Sequence, residues 1–145
     1  MLRPDPTPLI LRPGGLAREE LERLLGEPVA LAGRDQRAGT LPMAAPGMLA
    51  SHYAPLTPLT LRKGAWPVCA GTAYLAFRGD DLPEGRAPRE ILSTRGDLAE
   101  AAANLFAAMR RLDASGATAI VAEAVPDQGL GVAINDRLRR AAGLG

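Results

Sequence analysis

The turn DQGLG (127–131) is a candidate for binding chemistry because it joins an apolar run to a helical segment. In α/β folds this position presents backbone amides to anions, so Gln128, Gly129 and Gly131 predict a phosphate or nucleotide site. The alternative is a tight strand-to-helix turn whose backbone angles require glycine. A full G-x-G-x-x-G motif is missing because Ile134 occupies its third glycine position, and both interpretations stay open.

Glu123 stands near the carboxyl end of the preceding apolar run, at the rim where ligands of open parallel sheets bind. No second acidic residue has a defined spacing from it, so we interpret Glu123 as the solvated end of a strand and not as part of an acid–base pair. The sequence has no serine paired with a base and no P-loop. With one histidine and one cysteine it excludes structural zinc. We therefore predict no catalytic residue and no metal site.

The one histidine and one of the two tyrosines are adjacent, as His52 and Tyr53, in APGMLASHYAP (45–55). This stretch has neither helical nor strand periodicity and cannot form a core element. Residues 32–57 as a whole follow no repeat, and so long a structureless connection is unusual in a compact domain. We interpret it as a linker between units or a functional lid, with a solvated loop histidine as the alternative for His52.

The elements around these candidates follow from periodicity. Short apolar runs at 59–62, 72–77, 90–93 and 117–125 predict buried strands. Asp97 and Glu100 form a capping pair for a helix that ends at Gly116. Its apolar stripe comprises Leu98, Ala101, Leu105, Met109 and Leu112. A second helix follows the 127–131 turn. This order predicts the α/β class, as a small Rossmann-like three-layer domain with a mainly parallel sheet over 58–145.

The N-terminal segment is expected to differ from that domain. PTPLILRPGG predicts a short strand that stops at Pro13, and PVAL (28–31) predicts another. Between them, a short helix ends at Gly26 and places Leu21, Leu24 and Leu25 on one face. The predicted organisation is therefore an arm over 1–31, a linker over 32–57 and the domain over 58–145.

Composition limits the function classes. A net charge of +1 and 3% aromatic residues argue against direct nucleic-acid binding, and no apolar window is long enough to span a membrane. Cys69 lies in an apolar stretch, where we expect it to be buried. A single cysteine favours a reducing, cytoplasmic setting.

The segment APGM followed by HYAP resembles the linker of the two-domain threonylcarbamoyl-AMP synthases, in which Ser/Ala-Pro-Gly-Met and His-Tyr-Ala-Pro are hallmarks. LILRPGGLAREELERLLG (9–26) is similar to the closing strand and following helix of that family's catalytic domain. Residues 92–142 are similar to most of the family's C-terminal domain. The resemblance thus covers residues 9–142 in the family's own order.

The resemblance implies a role in making threonylcarbamoyl-AMP from ATP, threonine and bicarbonate, for modification of tRNA adenosine. It also implies that the linker closes over the nucleotide site of the catalytic domain. The implied nucleotide contacts are Arg12, Ser51, His52 and Tyr53. A Lys-Tyr-Arg-like triplet found in many family members is replaced here by LAS (49–51), so its phosphate contacts do not carry over.

The motifs of the family's catalytic cleft are missing, so the resemblance implies an accessory region that is inactive alone. ATP with Mg²⁺ would bind only in the full enzyme, and the expected partner is the catalytic domain, in cis or in trans. Two other classes stay open: a nucleotide-binding module using 127–131, and an interaction subunit docked on a separate catalytic protein. Because PLILRPG resembles a strand without partners, we also predict a homo-oligomer through residues 1–57.

Overall fold

The computed structural model describes residues 8–10, 13–31 and 55–144. The N-terminal segment contains β1 (Leu9–Ile10), α1 (Arg18–Leu25) and β2 (Ala30–Leu31). The remaining elements are β3 (Leu59–Leu61), β4 (Thr72–Ala76), β5 (Arg89–Ile91), α2 (Leu98–Asp113), β6 (Ala119–Ala122) and α3 (Leu130–Ala141). The predicted α/β class is confirmed, as are the predicted helices and short strands.

The main sheet has the strand order β3-β6-β4-β5, and every pair in it is parallel. In the register, Tyr74 of β4 lies opposite Val121 of β6 on one side and Arg89 of β5 on the other. All five residues of β4 are buried, as expected for a central parallel strand. Helix α2 connects β5 to β6. Because every strand pair is parallel, the carboxyl ends of the four strands lie at one edge of the sheet.

Helices α2 and α3 cover one face of this sheet. The side chains of Ala73, Leu75 and Ile120 point to that face, where they meet a buried helical stripe of Ala101, Leu105, Met109, Leu112, Ile134 and Leu138. The apolar residues that the strand and helix periodicities place on one face therefore pack into the same core, and this core includes the predicted stripe of α2.

Loops cover the opposite face of the sheet. Tyr74, Ala76 and Val121 form a second cluster there with Trp66, which lies in the loop between β3 and β4. The Trp66 and Tyr74 rings meet edge to face, with centroids 5.5 Å apart and planes at 83°. The sheet thus lies between a helical layer and a layer of connecting loops.

The capping pair of α2 is present, and it includes a third residue. The Asp97 carboxylate accepts the Glu100 amide at 2.8 Å. The Ser93 hydroxyl accepts the Asp97 amide at 2.9 Å and donates to the Glu100 carboxylate at 2.5 Å. Ser93 is buried and directly follows β5, so the cap also joins the start of α2 to the sheet.

The N-terminal segment corrects one expectation. Strand β1 is not without a partner, because it pairs in parallel with β2 and places Leu9 opposite Ala30. Helix α1 connects the two strands and buries none of its own residues. Leu24 is 73% exposed and Leu25 is 54% exposed, so the predicted apolar face exists but contacts little of the described chain.

Cys69 is exposed, which contradicts the expectation that it is buried. Its stretch looked like core because it is apolar, but strand β4 begins only at Thr72, and Cys69 precedes it in the loop. In the loop before β4, the large apolar side chain that is buried is that of Trp66. No helix within the described ranges is long and apolar enough to cross a membrane.

Candidate functional site

The residues that the resemblance assigns to nucleotide contact, Arg12, Ser51, His52 and Tyr53, lie outside the described residues. Their proposed roles therefore stay predictions. The structure does describe Leu31, which precedes the linker, and the last residues of the linker from Pro55 onward, and both junctions have defined surroundings.

At the first junction, a cavity of about 180 Å³ lies between the N-terminal segment and the start of α3. Ile10 and Leu31, the last residues of β1 and β2, line one side of it. Asp127 and Gly129 line the other side. In the sequence, Arg12 follows Ile10 by two positions and the linker follows Leu31, so both candidate segments connect to the described chain beside this cavity.

At the second junction, the carboxylate of Asp113 accepts two backbone amides. The Leu56 amide donates at 3.1 Å and the Thr57 amide at 2.7 Å. Hydrogen bonds from the Thr57 side chain and amide, and then from the Leu56 amide, hold the pKa of the Asp113 carboxyl below its ordinary value. The carboxylate is therefore ionised at neutral pH and binds the end of the linker in its charged form.

The predicted anion-binding turn is held by its own hydrogen bonds. The Gln128 amide donates to the Pro126 carbonyl at 2.9 Å, and the Gly131 amide donates to the Gln128 carbonyl at 2.8 Å. A Cβ atom at Gly131 would lie 1.8 Å from the Pro126 carbonyl oxygen. This close approach alone explains why residue 131 is glycine, and no ligand is needed to explain it. Gly129 has a φ of 51°, which glycine adopts readily.

A buried side chain completes the turn. Asn135 of α3 accepts the Val125 amide at 3.0 Å and donates to the Val125 carbonyl at 2.8 Å. It also donates to the Asp127 carboxylate at 3.2 Å. Asp127 thus places a carboxylate beside the start of α3, with the Arg139 guanidinium 4.0 Å away, and this carboxylate already occupies the amide group of Asn135. Anion binding by Gln128, Gly129 and Gly131 stays a prediction, and this geometry favours the alternative of a tight structural turn.

A polar network at the carboxyl edge of the sheet was missed by the sequence analysis. Glu123, just beyond β6, accepts the Phe77 amide at 2.8 Å and pairs with Arg62 at 3.0 Å. Arg62 also pairs with Asp81 at 2.6 Å, and the Trp66 indole donates to Asp81 at 2.9 Å. Glu123 is therefore not a solvated strand end, and its interpretation as one is corrected.

The network joins the edge of the sheet to the loop layer. The Arg62 guanidinium lies 4.5 Å from the centre of the Trp66 ring, a distance suited to a cation–π contact. Hydrogen bonds from Arg62 and then Trp66 lower the pKa of Asp81. Arg62 and Glu123 are 61 positions apart, so the sequence carried no spacing signal for their contact. The pairing of β3 with β6 brings them together. Their polar groups satisfy one another, so we assign them a structural role.

No group of histidine, cysteine, aspartate and glutamate side chains within residues 8–10, 13–31 and 55–144 is arranged to hold a metal ion. The described residues thus form a cavity beside Leu31 and a second junction at which Asp113 binds the backbone of residues 56–57. They also form a turn at 127–131 that is held by its own hydrogen bonds, and a network around Glu123 whose polar groups bond to one another.

Comparisons with known proteins agree with this fold. The family model described as "Threonylcarbamoyl-AMP synthase, C-terminal domain" matches residues 16–143. The threonylcarbamoyl-AMP synthase of Pyrococcus abyssi is 33% identical over 148 aligned residues, and that of Bacillus subtilis is 30% identical over 156. These alignments cover 94% and 96% of this chain.

Solved structures give the same result. The crystal structure of P. abyssi Sua5 complexed with L-threonine has a TM-score of 0.68 at 29% identity. A variant of the same protein, with an adjacent histidine and tyrosine replaced by alanine, has a TM-score of 0.63 at 27% identity. Each match covers 94% of this chain and 42% of the solved chain.

The chain spans 42% and 43% of the length of the two curated relatives. Within that span, the family model covers α1, the whole main sheet and both long helices. The chain therefore belongs to the family of threonylcarbamoyl-AMP synthase C-terminal domains.

Proposed function

We propose that this chain serves as the C-terminal region of a threonylcarbamoyl-AMP synthase and is not catalytic by itself. The observation that carries this proposal is the family match over residues 16–143. The reaction it would support joins ATP, threonine and bicarbonate into threonylcarbamoyl-AMP, for tRNA modification in the cytoplasm. Because the chain spans less than half of each curated relative, its partner in this proposal is a catalytic domain, in cis or in trans.

In this function the linker contacts the nucleotide. Arg12, Ser51, His52 and Tyr53 are the proposed contacts, and ATP with Mg²⁺ binds only when the catalytic domain is present. The variant of the P. abyssi protein supports attention to His52 and Tyr53, because it replaces an adjacent histidine and tyrosine in the same order. Prolines in the linker reduce the entropy lost when such a segment orders over a ligand.

The proposal is tested with a chimera in which this chain replaces the matching segment of the B. subtilis relative. The chimera should form threonylcarbamoyl-AMP. Tyr53→Ala should lower its rate while changing the free energy of unfolding by no more than about 0.5 kcal/mol, as for positions outside a core. Tyr53→Phe is the matched control that keeps the ring and removes the hydroxyl. A large loss of stability with unchanged turnover would mean that Tyr53 is a core residue.

A further inference from the structure

The two edges of the main sheet differ in charge. At the carboxyl edge, each strand is followed by charged side chains, among them Arg62, Arg78, Arg95 and Glu123. At the opposite, amino edge, β3, β4 and β6 are preceded by segments without a charged residue: 55–58, 68–71 and 114–118. We call these three segments the amino-edge surface. The fourth strand, β5, begins with Arg89, so the uncharged surface ends there.

Large apolar side chains of the amino-edge surface are open to solvent. Leu56 is 95% exposed and Val68 is 81% exposed, the two highest values among the large apolar side chains of the described residues. Cys69, next to Val68, is exposed as well. Exposed apolar side chains without charges among them are typical of the central part of a protein–protein contact.

Hydrogen bonds hold the backbone of this surface in place. The Gly71 carbonyl accepts the Thr118 amide at 2.8 Å, and the Pro58 carbonyl accepts the Ile120 amide at 2.8 Å. Asp113 borders the surface, but its carboxylate is already bound to the amides of residues 56–57. The surface is therefore formed before any partner binds, which lowers the entropy cost of a contact.

We infer that the amino-edge surface is a contact for the catalytic domain, an inference that rests on the proposed function. The chain enters the main sheet at this edge, because 55–58 lead directly into β3. The connection to the rest of the enzyme therefore arrives beside this surface.

The absence of charge in these segments also favours a partner in the same polypeptide. An uncharged surface gains nothing from electrostatic steering, and a tethered partner needs none because its effective concentration is high. The two curated relatives have more than half of their length outside the match, so each carries such a partner in one chain. The facing surface should itself be apolar and uncharged, since a charge there would lose water without gaining a partner.

Alkylation of Cys69 by iodoacetamide tests this contact. Cys69 is the one cysteine of this chain, and mass spectrometry of its peptide follows the reaction in any larger protein. The thiol should react at least about tenfold more slowly in the chimera than in the isolated chain, because the contact removes it from solvent. The matched control combines Cys69→Ser with Asp80→Cys, which moves the thiol to an exposed position beyond β4. That thiol should react at the same rate in both proteins.

Val68→Glu provides a second test on the same two proteins. The melting temperature of the isolated chain should not change, because the Val68 side chain is exposed. In the chimera, the substitution should return Cys69 to the rate of the isolated chain, since a charge is disfavoured in an apolar contact. Continued slow reaction of Cys69 in this variant would contradict the inference.

The remaining outcomes separate this contact from the proposed function. An active chimera in which Cys69 reacts as fast as in the isolated chain would remove the contact and leave the proposed function in place. An inactive chimera would count against the proposed function, and the Cys69 rates would still decide the contact. Slow reaction in the isolated chain that dilution relieves would show that a second copy covers the surface, which would also overturn the inference.

Discussion

At the scale of single residues, Glu123 shows how one carboxylate joins distant parts of the chain. It accepts the Phe77 amide at the end of β4 and pairs with Arg62 beyond β3, both at the carboxyl edge of the sheet. The Arg62 side chain is only 17% exposed, so losing Glu123 leaves its guanidinium, still paired with Asp81, with restricted access to water on the Glu123 side. Glu123 therefore stabilises the join between the sheet and the loop layer.

Glu123→Ala should lower the free energy of unfolding by about 2 to 3 kcal/mol, because the Phe77 amide loses its acceptor and the Arg62 guanidinium loses one of its two carboxylate partners. Glu123→Gln should cost less, since its carbonyl oxygen still accepts one of them. Urea denaturation measures both. Glu84→Ala, at an exposed glutamate, is the control and should change stability by no more than about 0.5 kcal/mol. Equal effects of Glu123→Ala and Glu84→Ala would contradict the role assigned to the network.

At the scale of elements, the turn between β6 and α3 is defined by a close backbone approach. The Pro126 carbonyl oxygen occupies the space that a side chain at residue 131 would need. Asn135 holds the same turn from inside α3 through two bonds to Val125. The turn is thus a structural junction that sets the direction of α3 against the sheet.

Gly131→Ala should destabilise the chain by about 1 to 3 kcal/mol, the usual effect of overfilling a packed site. Gly15→Ala is a matched control, because nothing lies within 4 Å of the position that its Cβ would take. Thermal unfolding of the two variants gives the comparison. If Gly131→Ala has the same melting temperature as the parent chain, the close approach of the Pro126 carbonyl to residue 131 is wrong.

Local sequence signals account for the elements of this fold, because helix periodicity and caps are local. The stripe from Leu98 to Leu112 and the cap at Asp97 needed no tertiary information. The pairing of β1 with β2, the burial of Trp66 and the Arg62–Glu123 pair depend on contacts distant in sequence, which no spacing encodes. The proposed site was recognised by motif only, and its four residues lie outside the described chain.

At the scale of the whole molecule, the exposed large apolar side chains of residues 8–10, 13–31 and 55–144 are densest in the N-terminal segment. Five large aliphatic side chains there are more than a third exposed: Leu9, Leu16, Leu24, Leu25 and Leu31. Helix α1 is short and buries none of its residues, and the β1–β2 sheet has two edges that no other strand of the described chain covers. We propose that this surface contacts a protein partner, either a catalytic domain or a second copy of the chain.

We expect the isolated chain to self-associate through this surface. Because β1 pairs with β2, this expectation rests on the exposed leucines and not on an unpaired strand. Light scattering at tens of micromolar should give a mass above the 15.2 kDa monomer. Leu24→Glu combined with Leu25→Glu should return the monomer, because two charges disfavour apolar contact. A monomeric parent chain would show that residues 1–57 do not mediate association.

We propose that this chain completes a threonylcarbamoyl-AMP synthase and is not one by itself. Pyrophosphate release from ATP, with threonine and bicarbonate present, tests it most directly. The chimera should turn over within about tenfold of the intact B. subtilis relative, while this chain alone should release no pyrophosphate. The claim is contradicted if the chain alone turns over at about 1 per second, or if the chimera is no faster than the relative lacking its matching segment.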